Sequence, residues 1–237
     1  MKTIIYLLFC LIPFTLAAQT NTEWVSNRDH SEVMFQVTYL NVSELTGRFT
    51  EFSAKANLDE KGVPVSLNIK IDPNSVETGN KMRDGHLKGS DFFEAHQYPA
   101  ITFVSSKVSK VKDNNYKVDG VMTIKGNSKP MVIEFTVTDS QKDTWGYENK
   151  FVKFKSKLNR KDFKINWNKT LDNQKYLVSD EVTFWGVFQI QPASSVTPPS
   201  KHMIPDTQPI RKREIENRKP KDESSFSDKV RKLINME

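Results

Sequence analysis

From residue 32 to residue 190 the chain alternates apolar and polar positions with a period of two, the pattern of strands buried on one face and wet on the other. Residues 32–40 place Val33, Phe35, Val37 and Tyr39 together. Residues 47–58 set Phe52, Ala54, Ala56 and Leu58 against Glu51, Ser53, Lys55 and Asn57, which predicts a strand solvated on one side. Residues 65–71, 101–111, 116–124, 131–138, 151–158 and 181–190 continue the series. Asp113, Asn114 and Asn115 supply turn chemistry for a hairpin between 101–111 and 116–124, and residues 125–128 make the next turn.

The alternation stops once, between Thr78 and Ala95. There Met82, His86 and Leu87 fall at helical spacing, with Lys81, Arg83, Asp84 and Lys88 on the other sides. Thr78 or Asn80 can cap a first helix that breaks at Gly89. Ser90 or Asp91 can cap a second that ends before Pro99, so two short helices are expected between two strands. About eight strands with one apolar face each need a shared interior, which a sandwich or a barrel supplies; a barrel also leaves no open edge. Such a barrel is either filled by its own side chains or holds one elongated ligand.

The ends of the chain differ in character from this domain. Lys2, an apolar run over 4–16 too short to span a bilayer, and Ala17–Ala18 read as an export signal over residues 1–18, which predicts a periplasmic or secreted protein. Cys10, the one cysteine, lies in that segment, so the mature chain has no thiol chemistry and no disulfide. The barrel domain is expected over 19–191. Residues 192–237 form a Pro-rich, charged tail with little to bury, ending in Phe226, Val230, Leu233 and Ile234 at the spacing of a short helix that frays or docks.

Charge adds little about partners. Ten Lys or Arg stand against seven Asp or Glu after Ala193, and 24 against 22 in the domain before it. A balanced domain has no electrostatic footprint for nucleic acid. The basic run over 211–221 is interrupted by Glu214 and Glu216, so it reads as a solvated stretch or a weak contact with anionic lipid or protein. Catalytic chemistry is not expected either. Asp29, His30 and Ser31 are adjacent and would alternate faces in a strand; His86 and His96 are separated by a helix break; no HExxH, CxxC or Gly-rich phosphate loop occurs. No metal or cofactor is implied. Asp29 with His30, and Arg160 with Asp162, are expected as buried structural pairs, and Trp185 and Met34 as apolar surface suited to a homodimer.

A series of blocks in order resembles the YceI-like family of exported polyisoprenoid-binding proteins. They run from Trp24 through Asp29-His30-Ser31, Phe35-Gln36-Val37 and Gly47-Arg48-Phe49 to Ile71-Asp72, Ser75-Val76 and Thr78-Gly79. Arg83-Asp84, His86-Leu87-Lys88, Asp91-Phe92-Phe93 and residues 99–103 with Ser105-Ser106 follow. Val118-Asp119-Gly120, Thr123-Ile124, Gly126, residues 160–163 and Asp180-Glu181-Val182 complete the series. Two positions depart from the family pattern: Tyr39 stands where histidine is common, and Lys164 where glycine is usual. The resemblance implies an eight-stranded antiparallel, lipocalin-like barrel with an inserted helical segment and an apolar tunnel for an isoprenoid or similar amphiphilic lipid. For the tunnel wall, the apolar strand faces supply Phe35, Val37, Phe52, Leu67, Ile69, Phe103, Ile133, Phe135, Phe154 and Phe184, which serve equally well as ordinary core. Arg83 and His86, with Asp84, could meet a polar head at the mouth or form a local network tying the helix to the strands. The other functional reading is a filled structural barrel that recruits a partner or serves in stress through its tail.

Overall fold

Lys125 and Gly126 both take positive φ, 48° and 68°. That is the two-residue turn whose twist matches a right-handed strand pair, and it joins β7 (Asn115–Ile124) to β8 (Asn127–Val137), a tighter connection than the four residues expected. Repeated antiparallel pairing of this kind builds the computed structural model, which describes residues 21–171 and 176–195. The export signal over 1–18 with Cys10, and the tail beyond 195 with its expected terminal helix, lie outside the described residues.

The remaining strands are β1 (Thr22–Tyr39), β2 (Ser43–Phe49), β3 (Phe52–Leu58), β4 (Pro64–Ile71), β5 (Val76–Glu77), β6 (Ile101–Lys112), β9 (Gln141–Lys142), β10 (Glu148–Asn159) and β11 (Glu181–Pro192). Pairings β1–β3–β4–β6–β7–β8–β10–β11 close on themselves through β11 and β1, giving the eight-stranded antiparallel barrel expected from the pattern. β1 is long enough to serve twice: Thr22–Val25 pairs with β3, and Val33–Tyr39 pairs with β2. The strand predicted over 47–58 is therefore two strands. Its corner is stapled elsewhere, since Thr50 N–H donates to Ser75 O at 3.2 Å and Asp72 N–H donates to Glu51 O at 2.9 Å.

Between β1 and β11 the register slips from Asn27 to Glu32. The Ser31 hydroxyl fills the bulge, donating to Asn27 O and accepting from Gln189 N–H. Asp29 and His30 are pushed outward and exposed, which corrects the expectation that they form a buried pair. β8 and β10 share only three residue pairs before they diverge. Phe163 and Ile165 are buried in the core next to that gap, and Asn127 Nδ2 donates to Phe163 O at 3.3 Å.

One helical segment forms, α1 (Lys81–Lys88), the one α-helix among the described residues. Asn80 caps it, its side chain accepting from Met82 and Arg83 N–H at 3.1 Å. The second helix expected after Gly89 is a chain of turns. Glu94 sits at φ 48°, outside helical space, and its N–H and that of Phe92 both turn back to Gly89 O.

Candidate functional site

The inward faces of the strands do two different things along the barrel. In one half they meet: Trp24, Leu67, Phe103, Val118, Ile133, Phe135, Val152, Phe188 and Ile190 are all buried in a single cluster. In the other half they stay apart and enclose a cavity of about 580 Å³. Val33, Phe35 and Val37 of β1 line it, with Leu45 and Phe49 of β2, Ile71, Ile101, Met122, Ile124 and Leu158 of the ring, and Val182 and Phe184 of β11. Leu87 of α1 and Phe92 and Phe93 after it cover one side, and Phe163, Ile165, Trp167, Leu177 and Val178 another. An aromatic layer separates cavity from core. Phe184 faces the cavity with its ring 6.1 Å from Phe154, which stacks at 5.6 Å on Phe188.

Of the residues expected in the wall, Phe35, Val37 and Phe184 line the cavity. Leu67, Ile69, Phe103, Ile133, Phe135 and Phe154 are buried in the core instead, and Phe52 packs against Phe188. Alternation tells which face of a strand points inward, and all of these do. It does not tell which end of the barrel a position occupies, and that separates the two groups.

The opening lies beside α1, because Met82 lines the cavity while 86% exposed. Arg83 and His86 both line the cavity there. Arg83 Nε and Nη2 donate to Thr78 Oγ1 and Thr78 O, each at 2.8 Å. Thr78 in turn donates from N–H and Oγ1 to Asp84 Oδ1 at 2.8 and 2.6 Å. The local network considered for Asp84 thus runs through Thr78 and fixes α1 to the end of β5. His86 Nε2 stands 2.9 Å from Asp91 Oδ2, and its ring packs edge-on against Phe92 and Trp167, both at 5.0 Å.

Arg160 was expected to pair with Asp162; it does not, because Asp162 points to solvent. Its guanidinium is buried, donating to Ser179 O at 2.9 Å, Ile165 O at 2.8 Å, Trp167 O at 2.7 Å and Asp180 Oδ1 at 3.1 Å. Burial lowers its pKa from the ordinary value against the pull of Asp180, and an arginine remains cationic there. This one side chain gathers the carbonyls of the segment that carries Trp167, Leu177 and Val178. That segment was missed from sequence; its signal was Trp167 and the run Tyr176-Leu177-Val178, set in a polar stretch. Met34 and Trp185, proposed as dimer surface, are opposite each other on β1 and β11 and half-buried.

Besides Arg83, His86 and Arg160, the polar side chains among the described lining residues are Thr46, Thr78 and Asn80, with the phenol of Tyr39. Among the described residues no group of three or more His, Cys, Asp or Glu could hold a metal ion. The arrangement is that of an apolar pocket with a polar collar, suited to a hydrocarbon chain with its head near α1.

The YceI-like domain profile matches residues 24–189. A UPF0312 protein of Yersinia enterocolitica is 30% identical over 167 residues, covering 69% of this chain and 86% of that relative. BcnA of Burkholderia cenocepacia superposes with a TM-score of 0.60 at 27% identity, over 69% of this chain and 98% of that one. A polyisoprenoid binding domain from Saccharophagus degradans superposes with a TM-score of 0.55 over 73% of this chain and 99% of that one, and at 16% identity it shows a shared fold alone. With the domain profile running along almost the whole barrel, the chain belongs to the YceI-like family.

Proposed function

We propose that this chain is an exported, non-catalytic binding protein that holds an isoprenoid or similarly amphiphilic lipid, hydrocarbon inside the barrel and polar end at the collar. The observation that carries this reading is the 580 Å³ cavity, walled by aliphatic and aromatic side chains and open beside Met82. Burying a hydrocarbon there gains about 25 cal/mol for each Å² removed from water and asks for no directional contact. At the roughly 30 Å³ that a water molecule occupies in the liquid, the cavity takes on the order of twenty non-hydrogen atoms, or about four five-carbon units. A longer chain would leave its remainder at the mouth. The Saccharophagus degradans domain described as polyisoprenoid binding shares the fold, which supports the ligand class. The leader pattern over 1–18 supports export.

Organic extraction of protein purified from its native source, followed by mass spectrometry, tests the proposal. A stoichiometric prenyl lipid is the expected result, and binding should survive truncation after Gln191. A clean extract, together with no uptake of a twenty-carbon prenol on titration, would leave the filled barrel acting through its tail as the better account.

A further inference from the structure

Three segments surround the opening. The β1–β2 turn carries Leu40 and Val42, 43% and 87% exposed. α1 presents Met82. The segment with Trp167 and Leu177 is tied to the turn, since Leu40 N–H donates to Leu177 O at 2.9 Å and Tyr39 bridges Val178. Single exposed apolar residues are ordinary on a protein surface, but apolar tips grouped beside the entrance to an apolar cavity mark a place where a membrane or a partner is met.

Charge indicates what covers them. Residues 39–46, 78–93, 160–171 and 176–180 hold seven Lys or Arg against five Asp or Glu, leaving 17 against 17 in the rest of the domain before Ala193. The net positive charge of the domain therefore sits at this rim, with Lys81 and Lys169 exposed on two of its segments. Protruding aliphatic tips, Trp167 and Tyr39 half-buried at the mouth, the exposed Tyr176 and cations around them form the combination that settles in the headgroup region of a bilayer.

We infer that the rim of the cavity docks onto a bilayer surface bearing anionic headgroups, so that the mouth faces the lipid phase. The inference deepens the carrier reading, because an insoluble chain then passes between membrane and barrel without crossing water.

The test is flotation of the chain from Gln19 to Glu237, which keeps every described residue, with vesicles of phosphatidylcholine alone or with one part in three phosphatidylglycerol. A prenol delivered from cyclodextrin is titrated in parallel. The parent chain should float with the anionic vesicles. Leu40→Asp with Val42→Asp should lower its partitioning at least fivefold, and Lys81→Glu with Lys169→Glu should lower it for the anionic vesicles only, both with prenol uptake unchanged. Equal flotation of parent and Leu40/Val42 variant would overturn the docking and move it to the tail. Absence of flotation with prenol uptake intact would overturn the docking and leave the carrier. Loss of flotation in the variant when no protein takes up prenol would sink the carrier and keep the docking. A parent dimer that the variant dissociates, with no vesicle binding by either, would make the rim a contact between copies and overturn the inference.

Discussion

The ring of Phe35 lies against Gly47, its direct partner across β1 and β2. A Cβ on Gly47 would stand 2.6 Å from Phe35 Cε1 and 2.9 Å from Thr78 Cγ2. Glycine is thus what lets the phenyl ring lie flat on the cavity wall, where it meets Phe49 at 5.4 Å, instead of tipping into the space. Gly47→Ala should destabilise the fold by about 1–3 kcal/mol through overpacking and weaken prenol binding as the ring swings inward. Urea unfolding and prenol titration measure the two effects. A variant indistinguishable in both would show that the wall relaxes freely at this point.

The division of the barrel into hollow and filled halves separates stability from binding. Val37→Trp places a larger side chain where there is vacant space, so it should cost under about 1.5 kcal/mol while reducing prenol affinity at least tenfold. Phe103→Ala removes a ring from the filled half, where Phe103 is 1% exposed, and should cost about 3–5 kcal/mol with affinity preserved at temperatures where the variant is folded. Finding the two effects exchanged between these variants would place the ligand at the wrong end.

Arg160 should behave as a clasp. Without it the carbonyls of Ile165, Trp167 and Ser179 lose their donor, whereas Asp180 keeps Lys161 at 2.7 Å. The loss therefore falls on orphaned carbonyls, and Arg160→Met is expected to cost about 3 kcal/mol. Arg160→Lys should recover little of it, because a single ammonium cannot span the fork of acceptors. Amide hydrogen exchange gives the local readout: protection at Ile165, Leu177 and Ser179 should fall before that of the β6–β7 ladder.

Most of the architecture was legible because a half-buried strand declares itself in its alternation. The 101–111 and 116–124 hairpin, the strand over 181–190 and the single helical excursion all follow from it. The division of residues 47–58 into β2 and β3 escaped the reading although the inward positions change parity there, from Leu45, Gly47 and Phe49 to Phe52, Ala54, Ala56 and Leu58. What fixes the break, the bonds to Ser75 and Asp72 on a distant segment, leaves no local signature. The second helix failed for a local reason, the left-handed Glu94, which no spacing of apolar residues reveals. At the site, Arg83 and His86 could be placed near the opening because the helical excursion was visible. Tyr39, Trp167 and Leu177 could not, since their position depends on long-range pairing such as that of Tyr39 with Val178.

Tyr116 predicts an alkaline limit. Its phenol is buried with the ring stacked on Phe135 at 5.5 Å, and burial, then the charges of Asp59 and Asp139, raise its pKa above the ordinary value of 10.0. The unfolded chain therefore ionises this phenol first as pH rises. Its contribution to stability is complete below pH 10, the unfolded value, and is lost as pH climbs through the raised folded value. Tyr116→Phe should flatten that part of the stability profile, and the parent's tyrosinate absorbance should show one late-titrating phenol that the variant lacks.

Lys164 occupies the turn after Arg160–Phe163 at φ 58° and ψ 29°, the left-handed region, with its N–H turned back toward Arg160 and Lys161 carbonyls. The family's usual glycine at this position has a direct physical reason, since a Cβ in this conformation costs on the order of 1–2 kcal/mol. A glycine also loses about 0.5–1 kcal/mol through the freedom it has in the unfolded chain. The two effects oppose each other, and the difference leaves Lys164→Gly more stable than the parent by about 0.5–1 kcal/mol. Lys164→Val carries the same strain with a branched Cβ and should lose more than about 1 kcal/mol. Urea midpoints for the three chains give the order glycine above lysine above valine. A reversed order would mean that the Lys164 side chain, exposed here, contributes more to this turn than its backbone conformation costs.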